Sequence, residues 1–370
     1  MIYNAIKHIL PEFRFEGQYR SVEELTSGNI NNTYHLQYAK EGKIIHYTLQ
    51  HINQFVFKEP DKVMDNILMV TMHLRDDLVR EGINPYRHVL ELISTRAGGV
   101  MHRDAMGDYW RAYRYIDKAV PYDVLEKPRH YYEIGRAFGE FQRRLRTFPA
   151  QRLHETIPDF HNTTRRFYAF VAAVAEDRAG RVDALEDEIE FFFERRKMMN
   201  EIVRRLKTGE LPLRVTHNDT KSNNVLIDQE TDEAICVIDL DTVMPGSSLY
   251  DFGDAVRFGA STAAEDEEDL SKIGLDMEKY RLFTEGFLRE TNGFLTEKEI
   301  GLLPLGVKVI TCELAMRFLT DYIDGDRYFK VNSPTHNLAR AHAQMKLLTD
   351  IEAKEEEMYR VLMEIIREGT

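Results

Sequence analysis

At 370 residues the chain is long enough for two domains and a sizeable core. Its hydrophobic fraction of 43% is ordinary for a globular protein, and no apolar run approaches the roughly 20 residues needed to span a bilayer. A formal charge of −13 disfavours nucleic acid and anionic membranes as partners, without excluding a nucleotide, since a site can be locally basic and a metal ion brings its own charge.

The first ten residues carry scattered polar groups and no cleavable apolar segment, so a cytoplasmic protein is expected. Thr33–Tyr38 and Ile44–His51 show the period-two patterning of strands, joined by a hairpin turn at 40–43. Pro60–Glu81 is predicted as a helix, with Val63, Ile67, Val70 and Leu74 on one face. Tyr86–Leu92 and Asp108–Ile116 are expected to add two strands. From about residue 120 the pattern turns helical, with long amphipathic segments over Arg129–Arg146 and Val182–Leu206. Three short apolar pieces, Arg214–His217, Asn224–Ile227 and Ile235–Asp239, are the only sheet expected in this half, and after Thr296 the chain is predicted helical again. The two cysteines, Cys236 and Cys312, lie in apolar stretches and are expected to be buried small hydrophobes. The histidines show no metal-ligand spacing. The expected class is α+β, with an antiparallel-sheet N-lobe to residue 116 and a mostly helical C-lobe over 117–370.

The chemistry concentrates in His217-Asn218-Asp219-Thr220-Lys221-Ser222-Asn223-Asn224, followed after a turn by Val237-Ile238-Asp239-Leu240-Asp241. Phosphoryl transfer needs a carboxylate that orients the incoming hydroxyl and accepts its proton, and oxygen ligands for a metal bridging the phosphates. His-x-Asp with an Asn five positions after the Asp offers a base and a metal ligand, and a second carboxylate ends the adjacent strand. Either piece alone is an ordinary turn or cap; the combination in this order is not.

These motifs resemble the protein-kinase-like phosphotransferase superfamily, which includes aminoglycoside phosphotransferases and choline and homoserine kinases. The resemblance implies a bilobal protein-kinase-like fold using ATP and Mg²⁺. It implies Asp219 as catalytic base, Asn224 and Asp239 as metal ligands, and Lys221 as the residue that neutralises the transferring phosphoryl group. His217 and Asp251 would brace the catalytic loop. The segments Ile238–Gly246, Tyr250–Phe258, Asp159–Asn162 with Arg166, Glu313–Tyr322 and Gly28–Tyr34 are similar to the N-acetylhexosamine 1-kinase subfamily. This implies a small-molecule sugar acceptor phosphorylated on its anomeric hydroxyl. Arg166, Phe258, Arg317 and Tyr328 would line the acceptor pocket.

The nucleotide side departs from the protein-kinase pattern. Gly28, Asn29, Asn31 and Asn32 stand where a glycine-rich loop is expected. Gln50 stands where the phosphate-binding lysine is expected, and brings no charge. Tyr115 lies in the segment resembling the hinge that meets the adenine. Arg317 and Asp321, four apart on a predicted helix, also have the spacing of a plain ion pair. Two other functions remain open: a kinase for another small alcohol, either a different sugar or an amino alcohol, and a catalytically dead binding protein on the same fold.

Overall fold

The computed structural model describes residues 2–25 and 30–369, without the Asn4 side chain. In chain order the elements are α1 (Ile2–Ile6), β1 (Gln18–Leu25), β2 (Asn32–Lys40), β3 (Lys43–His51), α2 (Pro60–Arg80), β4 (Met101–Arg103), β5 (Tyr109–Arg114) and β6 (Ala119–Val120). There follow α3 (Pro128–Arg144), α4 (Thr163–Glu176), α5 (Glu186–Thr208), β7 (Arg214–Thr216), β8 (Val225–Asp228), β9 (Ala234–Val237) and β10 (Met244–Gly246). The rest is helical: α6 (Ser248–Gly259), α7 (Met277–Thr291), α8 (Glu297–Gly301), α9 (Leu303–Ile323), α10 (His336–Ala353) and α11 (Glu355–Glu368). No described helix is long and apolar enough to cross a membrane.

The chain divides into two compact units, and the split does not follow the chain in a single cut. The first unit holds 1–121, 152–157 and 226–244. The sequence expectation placed everything after 116 in one lobe. Strand pairing explains the difference: β8 and β9 form a small sheet with β6, which draws 226–244 to the first unit.

The main sheet of the first unit is antiparallel, in the order β1-β2-β3-β5-β4. Its alternation separates two faces. Tyr34, Leu36, Tyr38, Tyr47, Leu49 and Ala112 build one core with Ile6, Ile9 and Phe13 from the N-terminal segment. The other residues of β2, β3 and β5 point to the opposite face. There Thr33, Gln50 and Arg111 lie directly opposite one another in one row across three strands. The strand expected over Tyr86–Leu92 is absent. Asn84 Oδ1 accepts from the Tyr86 N–H, the Pro85 carbonyl accepts from His88, and Arg87 is left-handed at φ +71°, so this segment turns. Cys236 is buried with Ile116, Ala119 and Leu226, and burial pushes its thiol up to about 12.

The second unit holds the helices, β7 and the loop that follows it. Phe167, Phe170, Phe192, Met199, Cys312, Met316, Phe318 and Leu348 form one of its cores, which joins α4, α5, α9 and α10. Two pairs of helices approach so closely that glycine is required. A Cβ on Gly286 of α7 would run into the Tyr132 carbonyl of α3, and one on Gly253 of α6 would run into the Gly306 carbonyl of α9. Because backbone has no flexible end to yield, Gly253→Ala forces α6 and α9 apart. It should destabilise the protein by about 1–3 kcal/mol, the usual cost of overpacking. Thermal melting followed by circular dichroism checks this; an unchanged midpoint would mean that the two helices separate freely.

Candidate active site

The central loop leaves β7, whose Val215 and Thr216 are buried, and ends in a single 3-10 turn over Ser222–Asn224. His217 points inward, fully buried, with its ring edge-on to Phe138 and Phe141 of α3. Asn218 is left-handed at φ +65°, a conformation that Asn tolerates better than most residues. Asp219 then faces outward and is 22% exposed.

Two carboxylates of α6 hold this loop. Asp251, fully buried, accepts from the backbone N–H groups of His217 (2.9 Å) and Asn218 (2.8 Å), and from the Gln142 amide (2.8 Å). Burial pushes its carboxyl up, and the backbone donors and His217 pull it back. One turn later Asp254 accepts from the Thr220 N–H at 2.9 Å and from the Arg257 guanidinium at 2.9 and 3.2 Å. Although burial opposes its charge, Arg257 and Lys221 hold it below the usual carboxylate range. The Thr220 hydroxyl donates to the Asp251 carbonyl at 2.7 Å, so both ends of the loop are fastened to one helix.

Within this frame the Lys221 ammonium lies 3.0 Å from Asp219 Oδ1. That carboxylate raises the Lys221 pKa, so the ammonium stays protonated. Asn224 Nδ2 donates to the Asp219 carbonyl at 2.8 Å and to its Oδ2 at 3.1 Å. Asn224 Oδ1 is thereby turned into the acceptor end of the amide, as a cation ligand must be. In the first unit, Asp239 is left-handed at φ +59° and leads into a 3-10 turn over Leu240–Thr242. Among the described residues no group of three or more His, Cys, Asp or Glu is placed to hold a metal. Magnesium does not need one: it takes one or two protein oxygens and the rest from phosphates and water. Asn224 in the second unit and Asp239 in the first are each of the oxygen-donor type that magnesium takes.

A second feature of the first unit was not anticipated. Arg111, 1% exposed, donates through both terminal nitrogens to the two oxygens of Asp241, at 2.9 Å for Nη2–Oδ2. Its Nε donates to Gln50 Oε1 at 2.9 Å, and the Gln50 amide donates to Thr33 Oγ1 at 3.1 Å. Burial works against the Arg111 charge, but Asp241, Tyr113 and Asp239 outweigh it and its pKa is raised. Asn31 Nδ2 donates to Asp241 Oδ2 at 2.7 Å, and Asn31 Oδ1 accepts the Asn53 N–H at 3.0 Å. Asn32 is exposed at the start of β2, and Tyr115 packs its ring 4.6 Å from His35, which is hydrogen-bonded to His46 at 2.8 Å. Gly28 and Asn29 lie outside the described residues.

In the second unit Arg317 is surrounded by the rings of Phe160, Tyr328 and Phe329, at 5.4–5.7 Å. No described group accepts a hydrogen bond from its guanidinium; its nearest carboxylate is Glu313 at 4.0 Å. The Arg166 guanidinium donates to the Phe160 carbonyl at 3.1 and 3.3 Å. Burial and the nearby Arg317 charge lower its pKa. Two cations thus share Glu313, whose two oxygens also lie 3.2 Å from His161 Nδ1. Asp321 does not pair with Arg317. It accepts the backbone N–H groups of Arg327, Tyr328 and Phe329 at 2.8–2.9 Å, and so fixes the turn that carries Tyr328. Phe258 is elsewhere: with Ser222, Asp123, Tyr131 and Glu265 it lines a cavity of about 350 Å³.

Residues 21–283 match the sequence pattern of the phosphotransferase enzyme family. The chain belongs to this family. Among solved structures, this phosphotransferase resembles a spectinomycin phosphotransferase determined with ADP and spectinomycin, at 15% identity, 96% of this chain and 98% of that one, and a TM-score of 0.53. It also resembles a choline kinase from Cryptosporidium parvum at 13% identity (99% and 100% covered, TM-score 0.59) and a Plasmodium vivax ethanolamine kinase at 14% (88% and 82%, TM-score 0.55). At such identities the likeness establishes the fold: the phosphotransferase has the kinase-like combination of antiparallel sheet and helices expected from its sequence.

Sequence reasoning passed over Arg111, gave Asp241 and Asp254 no role of their own within the motifs, and offered Asp321 only as an ion-pair partner for Arg317. The signals were present: an arginine inside the apolar run of β5, and acids at 251 and 254 one helical turn apart. For the phosphotransferase, Asp321→Ala should leave three backbone donors and the Asn337 amide short of an acceptor. A buried donor left unpaired costs about 1–3 kcal/mol. The backbone donors are only partly buried and Asn337 keeps Asp326 Oδ1, so urea unfolding is expected to show a loss of about 1–3 kcal/mol; an unchanged midpoint would mean that water replaces the carboxylate.

Proposed function

We propose that the phosphotransferase moves the γ-phosphate of ATP onto the anomeric hydroxyl of an N-acetylhexosamine, giving a sugar 1-phosphate. The observation that carries the kinase part is Asp219 held between the Lys221 ammonium and the Asn224 amide on a loop fastened to Asp251 and Asp254. Asp219 orients the acceptor hydroxyl and takes its proton. The hydroxyl oxygen bonds to the γ-phosphorus while the bond to the β,γ-bridging oxygen breaks and ADP leaves with the electron pair. Lys221 meets the charge that spreads over the transferring oxygens. Asn224 Oδ1 and Asp239 would hold magnesium, which supplies positive charge to the β- and γ-phosphate oxygens when bound. The sequence positions Gly28, Asn29, Asn31 and Asn32, together with Gln50 and Tyr115, belong to the nucleotide side of this reading.

The acceptor part rests on Arg317, Arg166 and Tyr328, besides the subfamily resemblance. A guanidinium without internal acceptors, beside a second cation and a half-exposed tyrosine, supports an acceptor rich in hydroxyl and carbonyl oxygens rather than an amine. The anomeric hydroxyl is the most acidic of a sugar, so a carboxylate base suffices. One observation favours a second reading. The cavity beside Ser222 carries Asp123, Glu265, Tyr131 and Phe258, groups that suit a cationic amino alcohol, although Arg257 and Lys279 also line it and Arg257 pairs with Glu265 at 3.0 Å.

Asp219→Asn should lower kcat by roughly 10²–10⁴-fold or more while ADP binding by calorimetry stays at the wild-type value. Near-wild-type turnover would remove Asp219 from the mechanism.

Arg317→Gln should raise the acceptor KM by roughly ten- to a hundredfold, as expected for losing a charged hydrogen bond worth about 1.5–3 kcal/mol. Phosphorus NMR of the product from N-acetylglucosamine, with its methyl glycoside, choline and ethanolamine as parallel acceptors, separates the two readings. A 6-phosphate or equal turnover of the methyl glycoside would refute the anomeric assignment. Preference for the amines would establish the second reading.

A further inference from the structure

The strand position that should carry a phosphate-binding lysine carries Gln50, yet that level of the sheet is not without a cation. Thr33, Gln50 and Arg111 stand in one cross-strand row, and hydrogen bonds run along it from Thr33 through Gln50 to Arg111. The charge has moved one strand over and inward. At 1% exposure, with Nε on Gln50 and both terminal nitrogens on Asp241, Arg111 cannot itself reach a phosphate. What it grips is informative. Asp241 lies in the 3-10 turn that begins immediately after Asp239, and Asp239 is held in the left-handed region that a free chain seldom visits. The same carboxylate also takes the Asn31 amide from the loop before β2. On the other side of the turn, Asn66 of α2 donates to the Val243 carbonyl at 2.9 Å.

We infer that Arg111 is a positioning residue for phosphoryl transfer: through its paired bonds to Asp241 it sets the turn that aims the Asp239 carboxylate and ties the Asn31 loop to that turn. The inference rests on the reading of Asp239 as a magnesium ligand. A forked guanidinium on a carboxylate fixes direction as well as distance, which a point charge such as lysine does not. A buried bidentate pair is also hard to break one side at a time, because the remaining charge is left unpaired. It therefore makes a stiff link between the sheet and the turn.

The test compares the full-length wild type with Arg111→Lys, the double variant Arg111→Met/Asp241→Leu, and Asp239→Ala. ADP binding is titrated by calorimetry over a range of magnesium concentrations, beside thermal melting and steady-state kinetics. The double variant removes both buried charges together, which is commonly tolerated by the fold. It is expected to melt near the wild type, to need at least about tenfold more magnesium for half-maximal ADP binding, and to lose kcat with the acceptor KM unchanged. Arg111→Lys should fall in between, since it keeps the charge and loses the fork. If Asp239→Ala leaves the magnesium dependence untouched, the metal assignment itself fails. If Asp239→Ala abolishes it while the double variant matches the wild type, the metal assignment stands and the positioning role of Arg111 is overturned. Loss of folding in both Arg111 variants would likewise overturn it, by assigning the pair to the fold alone.

Discussion

The irregular loop over 217–224 needs acceptors for its backbone N–H groups, and α6 supplies them. Asp251 and Asp254 are one turn apart, so both carboxylates leave the same side of the helix. Between them they engage the N–H groups of His217, Asn218 and Thr220. The glycine crossing at Gly253 lies between these two acids and lets α9 seat against the same helix. Packing and hydrogen bonding therefore converge on the four residues 251–254. The positions of Lys221 and Asn224 around Asp219 depend on that anchorage.

Charge is handled differently in the two units. In the first, a buried pair is directed inward: Arg111 gives both terminal nitrogens to Asp241 and its Nε to Gln50. In the second, Arg317 sits against three rings without an internal acceptor, and Glu313 is shared among Arg317, Arg166 and His161. The same residue type thus serves as a strut in one place and as an available donor in another. Only the surroundings tell them apart.

The element types were largely legible in the sequence. The β2–β3 hairpin, α2 and the helices after Thr296 follow directly from periodicity. What was not legible has physical reasons. Strand β1 is mostly exposed and polar, so alternation carries no strong signal there. The segment after Pro85 has strand-like residues, but an asparagine turn and a left-handed Arg87 override them. For the candidate site, the residues next to Asp219 announce themselves because they are close in sequence. Arg111 and Asp241 are 130 positions apart, and Asp321 serves as a backbone acceptor on a helix where its spacing suggests an ion pair. Such roles depend on which backbone groups a fold leaves short of partners, and a local pattern does not record that.

The left-handed turn at Asn218 has a consequence beyond the geometry of one peptide. A single reversal of handedness throws the side chains on either side of it in opposite directions. His217 is driven into the aromatic packing of α3 and Asp219 out to the surface. The loop thereby acquires an inner side that is pure architecture and an outer side that is available for chemistry. The residue that separates them belongs to the inner side, through its N–H to Asp251 at 2.8 Å and its Nδ2 to the Thr216 carbonyl at 3.3 Å. Glycine or asparagine can adopt that conformation at little cost, whereas a β-branched residue would erase the distinction between the two sides without touching a single charged group.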